Sequence, residues 1–281
     1  MLRRSGSLSL VVALLLSSGC CAGMMMMHRD SHEHSSKTTK SPHAGHAAEP
    51  ARAAGGIRGE TLTLQRGDAQ ITCYLARPAG DAPAPGLLLI HEWWGLNDWV
   101  RAQAERFAKR GYLALAIDLY RGEVARDSEH AHELMRGLTD ERAIADLTTA
   151  FEYVSTHSQV RGARVGVIGW CMGGGLALKL AIAEPKLACT VVCYGRPVTD
   201  VEQLRRIRGP VLGIWGQRDR GIEVEPFRAA LESAGVRATH HVFPDAGHAF
   251  LNENNARGYH AEQAAKAWEV IDGFLDAELT Q

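Results

Sequence analysis

The stretch "VIGWCMGGG", residues 167–175, places one cysteine inside a glycine cluster, directly after a run of apolar residues. Gly169 and Gly173 each lie two positions from Cys171. A strand, a Gly-x-Cys-x-Gly turn and a helix together form the context of a nucleophile elbow, a sharp turn in which side chains two residues from the nucleophile would collide. The alternative is a tight turn that contains a buried cysteine, and the stretch alone leaves both interpretations open.

Strand-like and helical patterns alternate on both sides of this stretch, from Ile57 onward. Continuous apolar runs such as those at 86–92, 112–118 and 210–216 are typical of strands buried on both faces of a sheet. The alternation predicts an α/β fold, with a mostly parallel sheet covered by helices on both faces, in a single domain spanning 57–281. An antiparallel pair of strands is predicted to open the domain.

Two helix boundaries are predicted from local signals. Asp98 is expected to cap a helix that ends at Gly111, because aspartate accepts hydrogen bonds at helix N-termini and glycine is common after C-termini. The final helix is predicted to begin near Arg257.

The loops that follow two later strands contain an acid and a histidine. Asp219 follows "PVLGIWG", and His248 follows "ATHHVFP". Carboxyl ends of parallel strands meet at one edge of a sheet, and the order nucleophile, acid, histidine is that of an α/β-hydrolase triad. In such a triad His248 takes the proton of Cys171, and Asp219 holds the imidazole tautomer. Asp245 is the alternative acid.

Two backbone N–H groups are predicted to form an oxyanion hole. Met172 follows Cys171 at a helix N-terminus, and the loop "HEWWGLN" after the third strand offers the N–H of Trp93. Glu92 in the same loop would stand beside the thiol, where a carboxylate disfavours the thiolate and keeps the resting nucleophile quiet. The alternative for Glu92 is a solvent-exposed loop carboxylate.

Residues 1–20 have the pattern of a signal peptide. Arg3 and Arg4 precede an apolar run at 8–18 that is too short to span a bilayer, and small residues precede Cys20. This pattern predicts export to the bacterial cell envelope as a periplasmic protein or a membrane-anchored lipoprotein, with a lipid anchor at Cys20.

Residues 21–56 lack apolar periodicity and predict a disordered tether. Imidazole and thioether groups are suitable ligands for copper or zinc. The alternative function is therefore an envelope metal-binding protein whose folded domain is catalytically idle. The candidate ligands are four consecutive methionines and five histidines: His28, His32, His34, His43 and His46.

Composition restricts the possible partners. The 281 residues have a formal net charge of −1, which gives no electrostatic basis for binding nucleic acid. Cys189 and Cys193 lie about 13 Å apart if their run is a strand, too far for a disulfide. We expect a monomer that acts on a small molecule.

Five stretches together resemble the dienelactone hydrolase family of α/β-hydrolases, over about residues 57–279. They are "HEWWGLN", "GYLALAIDLYRG", "GVIGWCMGGG", "WGQRD" and "DAGHAF". The resemblance implies a hydrolase of lactones or activated carboxylic esters, similar to carboxymethylenebutenolidase, that forms an acyl-enzyme and uses no metal and no cofactor. It implies Cys171 as nucleophile, His248 as base, Asp219 as orienting acid and Glu92 as the partner of the resting thiol.

One position departs from the family pattern. Well-known members have an arginine four residues after the catalytic histidine, where it grips the substrate carboxylate, and this chain has Asn252 there. An asparagine lacks the bidentate charged clamp of a guanidinium, so the resemblance extends to the chemistry and not to the dienelactone substrate. A second arginine and a tyrosine of the family are not evident in the segment that offers Arg126, Ser128, His130 and His132.

Overall fold

The computed structural model describes residues 56–280. The predicted signal peptide, the anchor at Cys20 and the histidines and methionines of the tether lie outside the described residues. Within residues 56–280, no helix has the length and apolar character needed to cross a membrane.

Eight strands form one sheet in the order β1-β2-β4-β3-β5-β6-β7-β8. The pairs β1–β2 and β2–β4 are antiparallel and the other pairs are parallel. This confirms the predicted sheet and its antiparallel opening. The strands are β1 Ile57–Arg66, β2 Ala69–Pro78, β3 Ala84–Ile90, β4 Leu113–Ile117, β5 Val160–Trp170, β6 Cys189–Cys193, β7 Val211–Gly216 and β8 Ala238–Phe243.

Helices cover both faces of the sheet, as an α/β-hydrolase fold requires. The helices are α1 Asp98–Lys109, α2 Ser128–Gly137, α3 Asp140–Thr156, α4 Met172–Ala183, α5 Val201–Leu204, α6 Val224–Ala234 and α7 Ala261–Leu279. Apolar residues of α1 and α7 form the core on one face, and those of α3, α4 and α6 form the core on the other. Strands β3, β4, β6 and β7 are buried along their whole length, which explains their continuous apolar sequences.

Both predicted helix boundaries need correction. Asn97, not Asp98, caps α1: its side chain accepts a hydrogen bond from the N–H of Val100 at 3.2 Å, which leaves Asp98 as the first helical residue. The final helix begins at Ala261 rather than near residue 257, because the preceding segment forms turns instead. Asn97 has the extended backbone of a cap residue, whereas Asp98 is already helical.

Candidate active site

Cys171 is the single residue between β5 and α4. Its backbone has φ 54° and ψ −115°, a conformation that residues other than glycine rarely adopt. A Cβ atom added to Gly169 would lie 2.0 Å from the carbonyl oxygen of Gly173, and one added to Gly173 would lie 2.2 Å from that of Ile90. The two glycines are therefore required by close backbone contacts, and the predicted elbow is present.

His248 and Asp219 form a hydrogen-bonded pair. His248 lies in the loop after β8, and its Nδ1 is 2.7 Å from Oδ2 of Asp219, which follows β7. Burial lowers the pKa of His248, but hydrogen bonds with Asp219 and Cys171 outweigh burial and raise that pKa to about 10. Asp245 pairs instead with Arg218. The fold thus brings together the three residues that the sequence singled out.

Glu92 is buried, with 3% of its surface exposed. Its Oε1 accepts a hydrogen bond from the hydroxyl of Tyr194 at 3.3 Å, and its Oε2 accepts one from the amide of Asn252 at 2.7 Å. Burial raises the pKa of Glu92, although these two bonds and the charge of His248 act in the opposite direction. The alternative of an exposed loop carboxylate is wrong, while the action of Glu92 on the thiol stays a prediction.

Asn252, at the position where well-known family members have the arginine, bonds to other residues of the protein. It is 4% exposed, and its side chain is engaged on both sides: the amide nitrogen donates to Glu92, and Oδ1 accepts from the N–H of Asn254 at 3.0 Å. The contact with Glu92 joins residues 160 positions apart, and no local pattern in the sequence signals it.

Tyr194 is a site residue that the sequence interpretation missed. It directly follows β6, has φ 39°, and its ring centroid lies 5.3 Å from that of His248. Its position just past the carboxyl end of a parallel strand was the available signal, because functional groups of such sheets collect there.

The two predicted oxyanion donors belong to Met172 and Trp93, which line the same cavity as Cys171. Met172 is the first residue of α4, so its N–H has no acceptor within the helix. The ring of Trp93 packs against Trp94 and His132, at centroid distances of 5.0 Å and 4.8 Å. Their use as oxyanion donors stays a prediction.

One cavity of about 1120 Å³ contains these groups. Cys171, Glu92 and His248 line it, together with apolar side chains of Leu138 and Ile222. Within residues 56–280, no group of three or more histidine, cysteine, aspartate or glutamate side chains is arranged to hold a metal ion. A thiol beside a paired imidazole in such a cavity can attack a carbonyl carbon.

Sequence comparison identifies the family. A sequence model of a protein family, described as "Dienelactone hydrolase family", matches residues 71–279 of this chain. The chain belongs to the dienelactone hydrolase family. This confirms the resemblance seen in the five stretches, and the chain is a hydrolase of this family.

Several proteins are similar over most of the domain. One from Yersinia pestis, named "Putative carboxymethylenebutenolidase", is 32% identical over 77% of this chain and 87% of its own length. One with the same name from Saccharolobus solfataricus is 31% identical over 74% and 94%. The crystal structure titled "Putative Dienelactone Hydrolase" from Klebsiella pneumoniae has 28% identity and a TM-score of 0.72, covering 80% of this chain and 99% of its own. These matches support the assignment of the chain to the dienelactone hydrolases.

Proposed function

We propose that this dienelactone hydrolase relative cleaves lactones or activated carboxylic esters through an acyl-enzyme on Cys171. The observation that supports this proposal most strongly is the elbow at Cys171, in one cavity with His248 and its hydrogen-bonded partner Asp219. The names of the relatives from Yersinia pestis and Saccharolobus solfataricus point to a lactone substrate of the same kind.

In the first half of the reaction, His248 takes the thiol proton and Sγ of Cys171 attacks the carbonyl carbon. The carbonyl electron pair moves to oxygen, where the N–H groups of Met172 and Trp93 stabilise the charge. The pair returns as the carbon–oxygen bond to the alcohol breaks, and the alcohol leaves with the proton from His248. Asp219 holds the imidazole and stabilises its charged form throughout.

In the second half, water replaces the alcohol. His248 accepts a proton from the water as its oxygen attacks the thioester carbon, and the same N–H groups stabilise the second oxyanion. Breakage of the carbon–sulfur bond releases the carboxylic acid, and the proton on His248 returns to Sγ of Cys171. The cycle consumes one ester and one water, and needs no redox partner.

Glu92 is proposed as the partner of the resting thiol. It lines the same cavity as Cys171, and burial raises the pKa of its carboxyl group. A buried carboxylate beside a thiol opposes thiolate formation until the substrate changes the surroundings of both groups. This role protects the nucleophile from oxidation in an envelope compartment.

Replacement of Cys171 tests the proposal. The full-length Cys171→Ala variant is expected to lose at least about 1,000-fold in kcat toward 4-nitrophenyl butyrate, because the covalent step is removed. Cys73→Ala is the matched control, since Cys73 is a free thiol buried in β2 that does not line the cavity. Equal turnover by Cys171→Ala and the unmodified protein would contradict the assignment.

We also propose export and a lipid anchor at Cys20, on the sequence pattern of residues 1–20. Labelling with a radioactive fatty acid in bacterial cells should mark the unmodified chain and not Cys20→Ala. Label in both proteins would place the lipid elsewhere.

The domain is proposed to act as a monomer, and size-exclusion chromatography of the full chain checks this state.

A further inference from the structure

His91 is a buried histidine that the mechanism above does not use. It directly follows β3, has no exposed surface and does not line the cavity, whereas its neighbours Glu92 and Trp93 do. A polar side chain buried to this extent needs hydrogen-bond partners for its ring nitrogens. Those partners indicate which part of the backbone the imidazole fixes.

Both ring nitrogens of His91 bond to the backbone. Nε2 is 3.2 Å from the backbone nitrogen of Leu119, and Nδ1 is 2.5 Å from the carbonyl oxygen of Glu92. A backbone N–H only donates and a carbonyl oxygen only accepts, so Nε2 is the acceptor and Nδ1 has the proton. Burial lowers the pKa of His91, although the bond to Glu92 and the charge of Asp118 act in the opposite direction. A neutral imidazole in one tautomer thus joins the loop after β3 to the loop after β4.

The bond to Glu92 orients the peptide unit that contains the N–H of Trp93. In a trans peptide the C=O and N–H groups point in opposite directions. Because the carbonyl oxygen of Glu92 is turned toward the buried imidazole, the N–H of Trp93 is turned away from it. The N–H of Gly95 donates to the same oxygen at 3.4 Å, a longer bond that closes the turn. Within residues 56–280, the N–H of Trp93 has no backbone acceptor.

His91 also packs against the residues that position Met172. A Cβ atom added to Gly173 would lie 2.2 Å from the carbonyl oxygen of Ile90 and 2.5 Å from that of His91, so the first turn of α4 contacts this backbone. The hydroxyl of Tyr120 donates to Sδ of Met172 at 3.2 Å. The ring centroid of Tyr120 lies 4.9 Å from that of His91. Both predicted oxyanion donors are therefore connected to this histidine.

We propose that His91 is a positioning residue: its Nδ1–H holds the carbonyl group of Glu92, so that the N–H of Trp93 points into the cavity toward the oxyanion. This role rests on the proposed function, because the oxyanion belongs to that reaction. A donor that is aimed before the reaction needs no reorganisation as charge develops on the oxygen. Without the imidazole the peptide is free to rotate, and the N–H loses its direction.

Two substitutions in the full-length protein separate the bonds of the two ring nitrogens. The amide of asparagine can replace Nδ1–H and donate to Glu92, whereas that of glutamine reaches the position of Nε2 and can accept from Leu119. We expect His91→Gln to lower kcat toward 4-nitrophenyl butyrate about 100-fold with KM within about threefold, as for the loss of one oxyanion donor. His91→Asn should keep kcat within about tenfold of that of the unmodified protein, because the donor is retained. Equal losses in the two variants would contradict the role of His91.

Alkylation by iodoacetamide distinguishes an oriented N–H from general damage to the site. This reaction needs the thiolate of Cys171 but forms no oxyanion. Its rate, followed by mass spectrometry of the peptide that contains Cys171, should stay within about twofold in His91→Gln. A fall of the alkylation rate in parallel with kcat would show that His91 only maintains the structure of the site.

His240→Gln is the matched control. His240 is a partly buried histidine of β8 that bonds to Trp215 and does not line the cavity. We expect neither kcat nor the alkylation rate to change in this variant. A fall of kcat equal to that in His91→Gln would show that the effect is not specific to the oxyanion loop.

The tautomer of His91 can be measured without turnover. Nitrogen-15 NMR of the unmodified protein at pH 7 is expected to show a neutral His91 with its proton on Nδ1, assigned through its proximity to the ring of Tyr120. A proton on Nε2, or a charged ring, would overturn the role of His91 whether or not esters are cleaved. Absence of ester cleavage by the unmodified protein would instead contradict the proposed function.

Discussion

At the scale of the residue, His248 shows how neighbouring groups outweigh burial. Burial alone would lower its pKa, yet the bonds to Asp219 and Cys171 bring that pKa to about 10. A pKa above neutrality favours the imidazolium, the state of His248 after it has taken the thiol proton. An unfolded histidine titrates near about 6.5, so the folded state binds this proton more tightly. The resulting stabilisation is complete below about pH 6.5 and is lost as the pH rises through about 10.

Replacement of Asp219 by asparagine should lower the pKa of His248, because the amide no longer supplies the charged acceptor. We expect kcat toward 4-nitrophenyl butyrate to fall on the order of 1,000-fold or more. The loss of stability between pH 7 and 10 should become smaller than in the unmodified protein. NMR titration of the imidazole and urea unfolding at several pH values measure the two effects.

Asp245→Asn is the control for this change. Asp245 lies in the same loop as His248 but pairs with Arg218 on the surface. An equal shift of the His248 titration in Asp219→Asn and Asp245→Asn would show that the bond to Asp219 is not the cause.

At the scale of the element, the junction of β5 and α4 depends on contacts between backbones. The strand lies between β3 and β6 in the sheet, and α4 begins one residue after the strand ends. The N–H of Cys171 donates to the carbonyl oxygen of Cys193 at 3.0 Å, which attaches the elbow to the end of β6. The positive φ of Cys171 is thus held by the neighbouring strands, and glycines permit their close approach.

Gly173→Ala should disrupt this junction, because its Cβ atom would lie 2.2 Å from the carbonyl oxygen of Ile90. We expect the free energy of unfolding to fall by about 2 kcal/mol or more, with a loss of activity as the elbow shifts. Gly273→Ala in α7 is the matched control, since an added Cβ atom there meets nothing within 4 Å. That variant should be more stable than the unmodified protein by about 0.5–1 kcal/mol. Equal stability of the two variants in urea would contradict this account.

At the scale of the whole molecule, a buried carboxylate joins distant parts of the domain through two arginines. Asp146 of α3 has no exposed side-chain surface, and its two oxygens accept from Arg66 of β1 at 3.0 Å and from Arg121 after β4 at 2.5 Å. The two guanidiniums remain partly exposed, so the cost of burying the carboxylate is offset without full desolvation of its partners. The edge of the sheet and the loop beside the site are thereby fixed to one helix.

Asp146→Asn should lower the free energy of unfolding by about 1.5–3 kcal/mol, because the hydrogen bonds from two guanidiniums lose their charged acceptor. Urea unfolding of the full chain at pH 7 measures the change. Lys266→Gln is the control, since it breaks only an exposed pair with Glu262, worth about 0.3–0.5 kcal/mol. A loss no larger than that of the control would show that the buried pair contributes little.

The sequence predicted the fold, and it predicted that Cys171, Asp219 and His248 meet at one edge of the sheet, because both depend on local patterns. Continuous apolar runs marked β3, β4 and β7, and the Gly-x-Cys-x-Gly spacing marked the elbow. Parallel strands end at one edge, so Asp219 and His248 could be placed beside Cys171 from their order alone. The prediction that Asp98 caps α1 was wrong by one position, because asparagine and aspartate have similar capping preferences and the two residues are adjacent.

Only the tertiary structure decided the surroundings of Glu92 and the partners of Asp146. The bonds from Tyr194 and Asn252 span 102 and 160 positions, and no residue pattern of strand or helix length encodes such contacts. Whether a charged side chain is paired likewise depends on which elements meet in space, as the contacts of Asp146 with Arg66 and Arg121 show. Local backbone preferences and burial periodicity are thus legible in the chain, whereas hydrogen bonds and charges between distant loops arise from packing alone.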